Sequence, residues 1–164
     1  MTSSPLTALV VGASRGLGLG LVHEFVARDW NVVATARTPD KATELAAFAQ
    51  AHPARVVVEP LDVEDGAAID ALRGTLDGGR LDVLFVNAGM FGPQHQDVQR
   101  VTRDELATLF LTNAIAPVRI AERFADRMAD GGVVALMTSQ LGSIAENTSG
   151  GYALYRASKA ALNS

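Results

Sequence analysis

Short apolar runs alternate with longer amphipathic stretches along almost the whole chain. Leu6 to Val11, Asn31 to Ala36, Arg55 to Val58, Val83 to Val86 and Val133 to Met137 are brief and apolar, with β-branched residues prominent, a pattern that predicts five buried strands. The intervening segments have helical spacing. Leu17 to Asp29 puts Leu17, Leu21 and Phe25 at i, i+4 intervals on one face. Pro39 to Ala51 starts on a proline in the tolerated first turn, and Glu64 to Leu76 stops at Gly78-Gly79. Thr102, with Glu105 three residues on, reads as a capping box opening a long helix that runs to about Asp130, where Gly131-Gly132 ends it. A polar loop with Asn147, Ser149, Gly150 and Gly151 leads into a last helix from near Tyr152.

Strands alternating with helices imply βαβ units. The expectation is one α/β domain over residues 1–164, a doubly wound parallel sheet in three α/β/α layers. Ligands in such folds sit at the carboxyl ends of the strands, so the residues just after each apolar run carry the chemistry. Composition sets bounds on that chemistry. The chain has 164 residues, 48% hydrophobic and 20% charged, ordinary values for a single domain with a core. A net charge of −4 argues against a nucleic-acid partner. The absence of cysteine excludes disulfides, thiolate catalysis and cysteine metal sites, and fits a cytoplasmic location. The opening Met-Thr-Ser-Ser-Pro lacks a basic region followed by a cleavable apolar stretch, and no apolar run reaches the roughly 18 residues a membrane span needs. His23, His52 and His95 show no metal-ligand spacing, so no metal is expected.

The first apolar run ends in Gly12-Ala13-Ser14-Arg15-Gly16-Leu17-Gly18. Glycines between a strand and a helix permit a tight turn and bring backbone close to a pyrophosphate at the helix N-terminus. The spacing is G-x-x-x-G-x-G, and no Gly-Lys-Ser/Thr of a P-loop follows. The second run ends in Ala34-Thr35-Ala36-Arg37. No carboxylate stands there to bind ribose hydroxyls. Arg37, with Arg15 as a second cation, suits a 2′-phosphate instead, which favours NADP(H) over NAD(H). Arg37 in place of an acidic ribose ligand also argues against an S-adenosylmethionine site, the other ligand for glycines in this place.

Tyr155-Arg156-Ala157-Ser158-Lys159 places a phenol and an ammonium one helical turn apart on one face. A tyrosine ordinarily ionises near pH 10, too high for proton exchange at neutral pH, and a nearby ammonium favours its phenolate. Tyr152 and Arg156 share the spacing, but arginine is a poor substitute for the lysine role. Asn113 lies four residues before Pro117, which has no N–H to donate to the Asn113 carbonyl. A kink there would free that carbonyl to hold a water.

Taken together, Gly12-x-x-x-Gly16-x-Gly18, Asn87-Ala88-Gly89 and Tyr155-x-x-x-Lys159 resemble the short-chain dehydrogenase/reductase family over nearly the whole chain, although Val11 stands where members usually carry threonine. The resemblance implies a Rossmann fold, NADP(H) as cofactor, and hydride transfer between a carbonyl and an alcohol with tyrosine as proton donor. It implies a catalytic group of Asn113, Ser139, Tyr155 and Lys159, with Ser143 as rival to Ser139 because the loop before the tyrosine is extended. Beside Gly12, Gly16, Gly18 and Arg37, it implies cofactor contacts from Ser14, Arg15, Leu17, Asp62, Val63, Asn87, Ala88, Gly89, Tyr155 and Lys159. Asn87 is mainly structural in this reading, and Asp62 has helix capping as an alternative role. Leu141 to Asn163 resembles the sniffer-type carbonyl reductase and C-factor branch. Family members continue through further strand–helix units that supply most of the substrate pocket, so the chain reads as C-terminally incomplete relative to them. They often pair through the long helix and the Tyr–Lys helix, which implies a possible homo-oligomer. The alternative function is a dinucleotide-binding regulatory or signalling module without turnover.

Overall fold

A computed structural model describes residues 4–76 and 78–164; the first three residues, part of the opening read for a leader, lie outside the described residues. Five strands form one parallel sheet: β1 (Thr7–Val11), β2 (Asn31–Ala36), β3 (Val56–Pro60), β4 (Leu81–Val86) and β5 (Met128–Leu136), in the order β3-β2-β1-β4-β5. The direction of winding reverses between β1 and β4. That reversal leaves a crevice at the carboxyl ends of these two strands, where doubly wound sheets bind ligands.

Alternation along the strands sends side chains to both faces. Val10, Val32 and Ala34 pack against Leu19 and Val22 of α1 (Gly16–Ala27) and Leu45 of α2 (Thr43–Ala51). Leu9, Val11, Leu81 and Leu84 pack on the opposite face against Ile69 of α3 (Gly66–Thr75) and Ile120 and Phe124 of α5 (Ala116–Phe124). Helix α4 (Arg103–Phe110) continues into α5 through a π-helical turn, Leu111–Ile115, and α6 (Ala153–Asn163) packs against this junction.

Three local expectations change. Of the expected row on α1, Leu21 and Phe25 pack half-buried on the core beside the buried Gly18, Leu19 and Val22, whereas Leu17 is 70% exposed because the first turn of the helix opens onto the crevice. Pro39 starts a separate 3-10 turn, Pro39–Lys41, and α2 begins only at Thr43. The long helix ends at Phe124, well short of Asp130. Gly131 and Gly132 sit inside β5, where the register jumps from Leu81 opposite Met128 to Val83 opposite Val133. Gly131 takes φ +78° there, so the glycine pair forms a bulge in the strand instead of a helix stop.

The Thr102–Glu105 capping box forms in both directions, and the backbone N–H and hydroxyl of Thr102 hold the Glu105 carboxyl below its ordinary 4.5. Replacing Thr102 by alanine should lower stability by about 1 kcal/mol, read from the urea midpoint, while serine should keep it near native. An unchanged midpoint for the alanine variant would contradict the cap.

Candidate functional site

The turn from β1 into α1 is held at three points. Thr35 accepts from the Gly12 N–H through its hydroxyl at 3.1 Å and from the Ala13 N–H through its carbonyl at 2.7 Å. The Asn87 side-chain amide donates to the Gly12 carbonyl at 2.9 Å, the structural part expected of it. Contact is so close that a Cβ on Gly18 would lie 2.2 Å from the Gly12 oxygen, and one on Gly12 would lie 2.8 Å from the Ala88 backbone. Gly16 differs: at φ +59° a Cβ there would point into open space.

That space is a cleft of about 700 Å³. Gly12, Ser14, Arg15, Gly16 and Leu17 form one wall, with Arg37 at the end of β2, Asp62 and Val63 after β3, and Asn87, Ala88 and Gly89 after β4. Of the expected cofactor contacts, Gly18, Tyr155 and Lys159 do not line it. Gly18 is packed beneath the turn. An adjoining recess of about 410 Å³ shares Ser14, Arg15 and Arg37 with the cleft and adds Lys41. Asp62 does not cap α3. Asp65 does, accepting from the Ala67 N–H at 2.8 Å, while Asp62 accepts from the Glu64 N–H at 3.0 Å.

Glu64, Met90, Thr108 and Thr112 also line the cleft and had no signal in the sequence. The Thr112 hydroxyl donates to the Glu64 carboxylate at 2.5 Å, across 48 residues of chain. Such a pairing leaves no local trace.

Gly89 and Met90 connect the cleft to the Tyr–Lys helix. A Cβ on Gly89 would lie 3.3 Å from Asn113 Oδ1 and 3.5 Å from Lys159 Nζ. The Asn113 side chain grips Met90 twice, accepting from its N–H at 2.8 Å and donating to its carbonyl at 2.7 Å, and donates to Ser158 Oγ at 3.0 Å. Asn113 is fully buried and sits in the π turn. The irregularity expected at Pro117 thus falls one turn earlier, with the Ala116 N–H bonding the Leu111 carbonyl. Single π turns of this kind gather at functional sites.

Lys159 is 3% exposed, and its ammonium donates to the Met137 carbonyl at 2.8 Å. Burial pushes the ammonium below its ordinary 10.5. Tyr155, one turn earlier, is half-buried, with its ring stacked on Phe91 at 5.2 Å. A 3-10 turn, Gln140–Gly142, packs Gly142 so tightly on Lys159 that a Cβ would lie 2.9 Å from the lysine backbone. Ser139 and Ser143 flank this turn, accepting from the Leu141 and Glu146 N–H groups respectively, each at 3.2 Å. Arg156 is buried, with no carboxylate partner among the described residues. It donates to the Gly151, Leu141 and Gly150 carbonyls and the Ser149 hydroxyl, tying the extended loop to α6.

The histidines stand apart from this site. His23 and His52 flank the Phe48 ring, and His95 lies 3.8 Å from the Glu105 carboxylate. Among the described residues no helix is long and apolar enough to cross a membrane.

Fold and crevice together define a dinucleotide-binding α/β protein of the Rossmann type. A family model described as short chain dehydrogenase matches residues 6–164, and the chain belongs to that family. A carbonyl reductase from Pseudomonas aeruginosa, solved in complex with NADP, is 44% identical and superposes with a TM-score of 0.94 over 98% of this chain and 70% of its own. Galactitol 2-dehydrogenase from Agrobacterium fabrum is 36% identical over 94% of this chain, and the cyclic-di-GMP-binding biofilm dispersal mediator protein of Escherichia coli is 35% identical over 95%. The chain spans 59% and 62% of the lengths of these two curated relatives.

The depressed ionisation of Lys159 has a signed consequence. In the pH window below 10.5 the unfolded chain binds this proton more than the folded chain does, so stability should rise with pH there. Comparing urea midpoints of the native chain and Lys159→Met from about pH 8 to about pH 10 should shift the difference in the native chain's favour. A constant difference would mean that the ammonium is not destabilised by burial.

Proposed function

We propose that this chain carries the NADP(H) site and catalytic group of an oxidoreductase that interconverts a carbonyl and an alcohol. The observation that carries the reading is the continuity from the glycine cleft, across Gly89 and Met90, to Lys159 and Asn113. The cleft suits a dinucleotide: Gly16 opens it with no Cβ, and Gly12 and Gly18 allow the close backbone turn a pyrophosphate needs. Arg15 and Arg37 border both the cleft and the recess beside it, and would pair with a 2′-phosphate, with Lys41 adding a third cation. The NADP complex of the Pseudomonas relative supports the same cofactor.

When bound, NADPH supplies the hydride. Tyr155 gives a proton to the carbonyl oxygen. Ser139 donates its hydroxyl hydrogen to that oxygen and orients it. Lys159, a cation in a desolvated place, stabilises the negative charge left on the phenol oxygen and holds the nicotinamide ribose. Asn113 locks Met90 with its side chain, and its backbone carbonyl, which Pro117 cannot reach as a donor, holds a water that relays protons to Lys159. The reaction belongs in the cytoplasm, in keeping with a chain free of cysteine. Exposed Leu106, Leu111, Ile115 and Val118 along α4 and α5 support pairing with a second copy through this helix.

The biofilm dispersal relative favours a second reading, a dinucleotide-binding regulatory module without turnover. Mutation separates the two. Tyr155→Phe should abolish carbonyl reduction and leave NADPH affinity unchanged; full activity in that variant would end the assignment, and no turnover in the native protein would favour the regulatory module. Ser139→Ala should lower kcat by about 100-fold while Ser143→Ala keeps most of it; the reverse result would move the role to Ser143. Titration by nicotinamide fluorescence should show tighter binding of NADPH than of NADH, and Arg37→Ala should narrow the difference. Equal affinities in the native chain would contradict the 2′-phosphate reading.

A further inference from the structure

Tyr155 lies in the first turn of α6, where N–H groups have no acceptor within the helix. The N-cap residue is Tyr152, in the left-handed conformation at φ +50°, and its side chain caps nothing. The Tyr155 N–H is satisfied from outside instead, by Gln96 Oε1 at 2.9 Å across 59 residues of chain. The same amide donates through Nε2 to the Phe91 carbonyl at 3.0 Å and the Pro93 carbonyl at 2.9 Å. Two carbonyls and one N–H fix the orientation of the amide, because the flipped arrangement would set oxygen against oxygen.

Gln96 itself has φ +49°. Glycine or asparagine takes that conformation with less strain, so a glutamine there points to a need for its side chain. Phe91, at the start of the loop that Gln96 closes, stacks on the Tyr155 ring at 5.2 Å and 28° and meets the Tyr152 ring edge-on at 5.4 Å and 74°. One amide therefore joins the backbone of the tyrosine to the loop whose ring lies against its phenol.

We propose that Gln96 is a positioning residue for Tyr155, capping the helix that carries the phenol and locking Phe91 against its ring. Without it, the Phe91 loop and the first turn of α6 lose their shared anchor, and the phenol ring loses its fixed place against Phe91. The kinetic consequence rests on Tyr155 being the proton donor; the structural one does not.

The test uses Gln96→Glu, which can still accept from the Tyr155 N–H but turns an oxygen toward the Phe91 and Pro93 carbonyls. Only two tyrosines occur in the chain, so ring-labelled tyrosine gives two NMR signals, and Tyr152→Phe assigns them. Phe91→Ala should move the Tyr155 signal by removing the stacked ring, and Gln96→Glu should move it in the same direction. Should the glutamate variant not fold, Gln96→Met, neutral and of equal length, is read in the same way. A Tyr155 signal unmoved in the folded Gln96 variant, or unmoved in Phe91→Ala, overturns the proposal. In turnover, the Gln96 variant should lose about tenfold or more in kcat with NADPH affinity unchanged; an intact kcat overturns the positioning role. If the native protein shows no turnover, the proposed reaction fails and the NMR signals decide this proposal by themselves.

Discussion

The ligand end of this molecule depends on how closely the turn leaving β1 lies against the chain leaving β4. No side chain fits between them: a Cβ on Gly12 would lie 2.8 Å from the Ala88 backbone, and one on Gly18 would lie 2.8 Å from the Asn87 amide nitrogen. The Asn87 amide then bridges the gap that closeness leaves, donating to the Gly12 carbonyl. Close packing at this point is also what brings the helix N-terminus of α1 to the mouth of the crevice, where its unpaired N–H groups can face an anion.

A second constraint concerns buried cations. Lys159 and Arg156 lie three residues apart on α6, and among the described residues neither has a carboxylate partner; both are satisfied by carbonyl or hydroxyl oxygens. In the proposed reaction, a carboxylate beside Lys159 would neutralise the field that a developing phenolate would need. A carbonyl orients the ammonium while leaving its charge available, at the cost in solvation that depresses its ionisation. Arg156, with its forked donors spread over three carbonyls and a serine hydroxyl, does a mechanical task that a lysine could not copy. The sequence reads the Tyr155–Lys159 pair apart from Tyr152–Arg156, but the loop-tying role of Arg156 needed three-dimensional contacts.

The strands were legible because five short apolar runs rich in β-branched residues each enter one parallel sheet, the edge strands β3 and β5 included although they are only partly covered, and the Thr102 cap because it is local. Errors fell where local signals are ambiguous. A glycine pair ends a helix or bulges a strand with equal ease, so the ends of α5 and β5 could not be read from Gly131-Gly132. The i, i+4 row Leu17, Leu21, Phe25 marked a helix whose Leu21 and Phe25 pack on the core, but not that Leu17 stands outside it, since leucine at a ligand mouth looks like leucine in a core. The motif residues Gly12, Asn87 and Lys159 stand out by type and spacing. Their supports do not: Thr35 under the glycine turn, Thr112 on Glu64 and Gln96 on Tyr155 act over 23, 48 and 59 residues.

Those supports explain why Asn113 sits in a π turn. An α-helical register over Leu111–Ile115 would rotate the residues there by a fraction of a turn relative to α4. The extra residue in the π turn lets Thr112 reach Glu64 at the cleft while the adjacent Asn113 reaches Met90 and Ser158. Neighbouring positions on a helix diverge by about 100°, so both contacts need the helix junction wedged between cleft and α6. The irregular turn thereby serves two sides of the site at once, held by its hydrogen bonds to Glu64, Met90 and Ser158 and by its packing on α6.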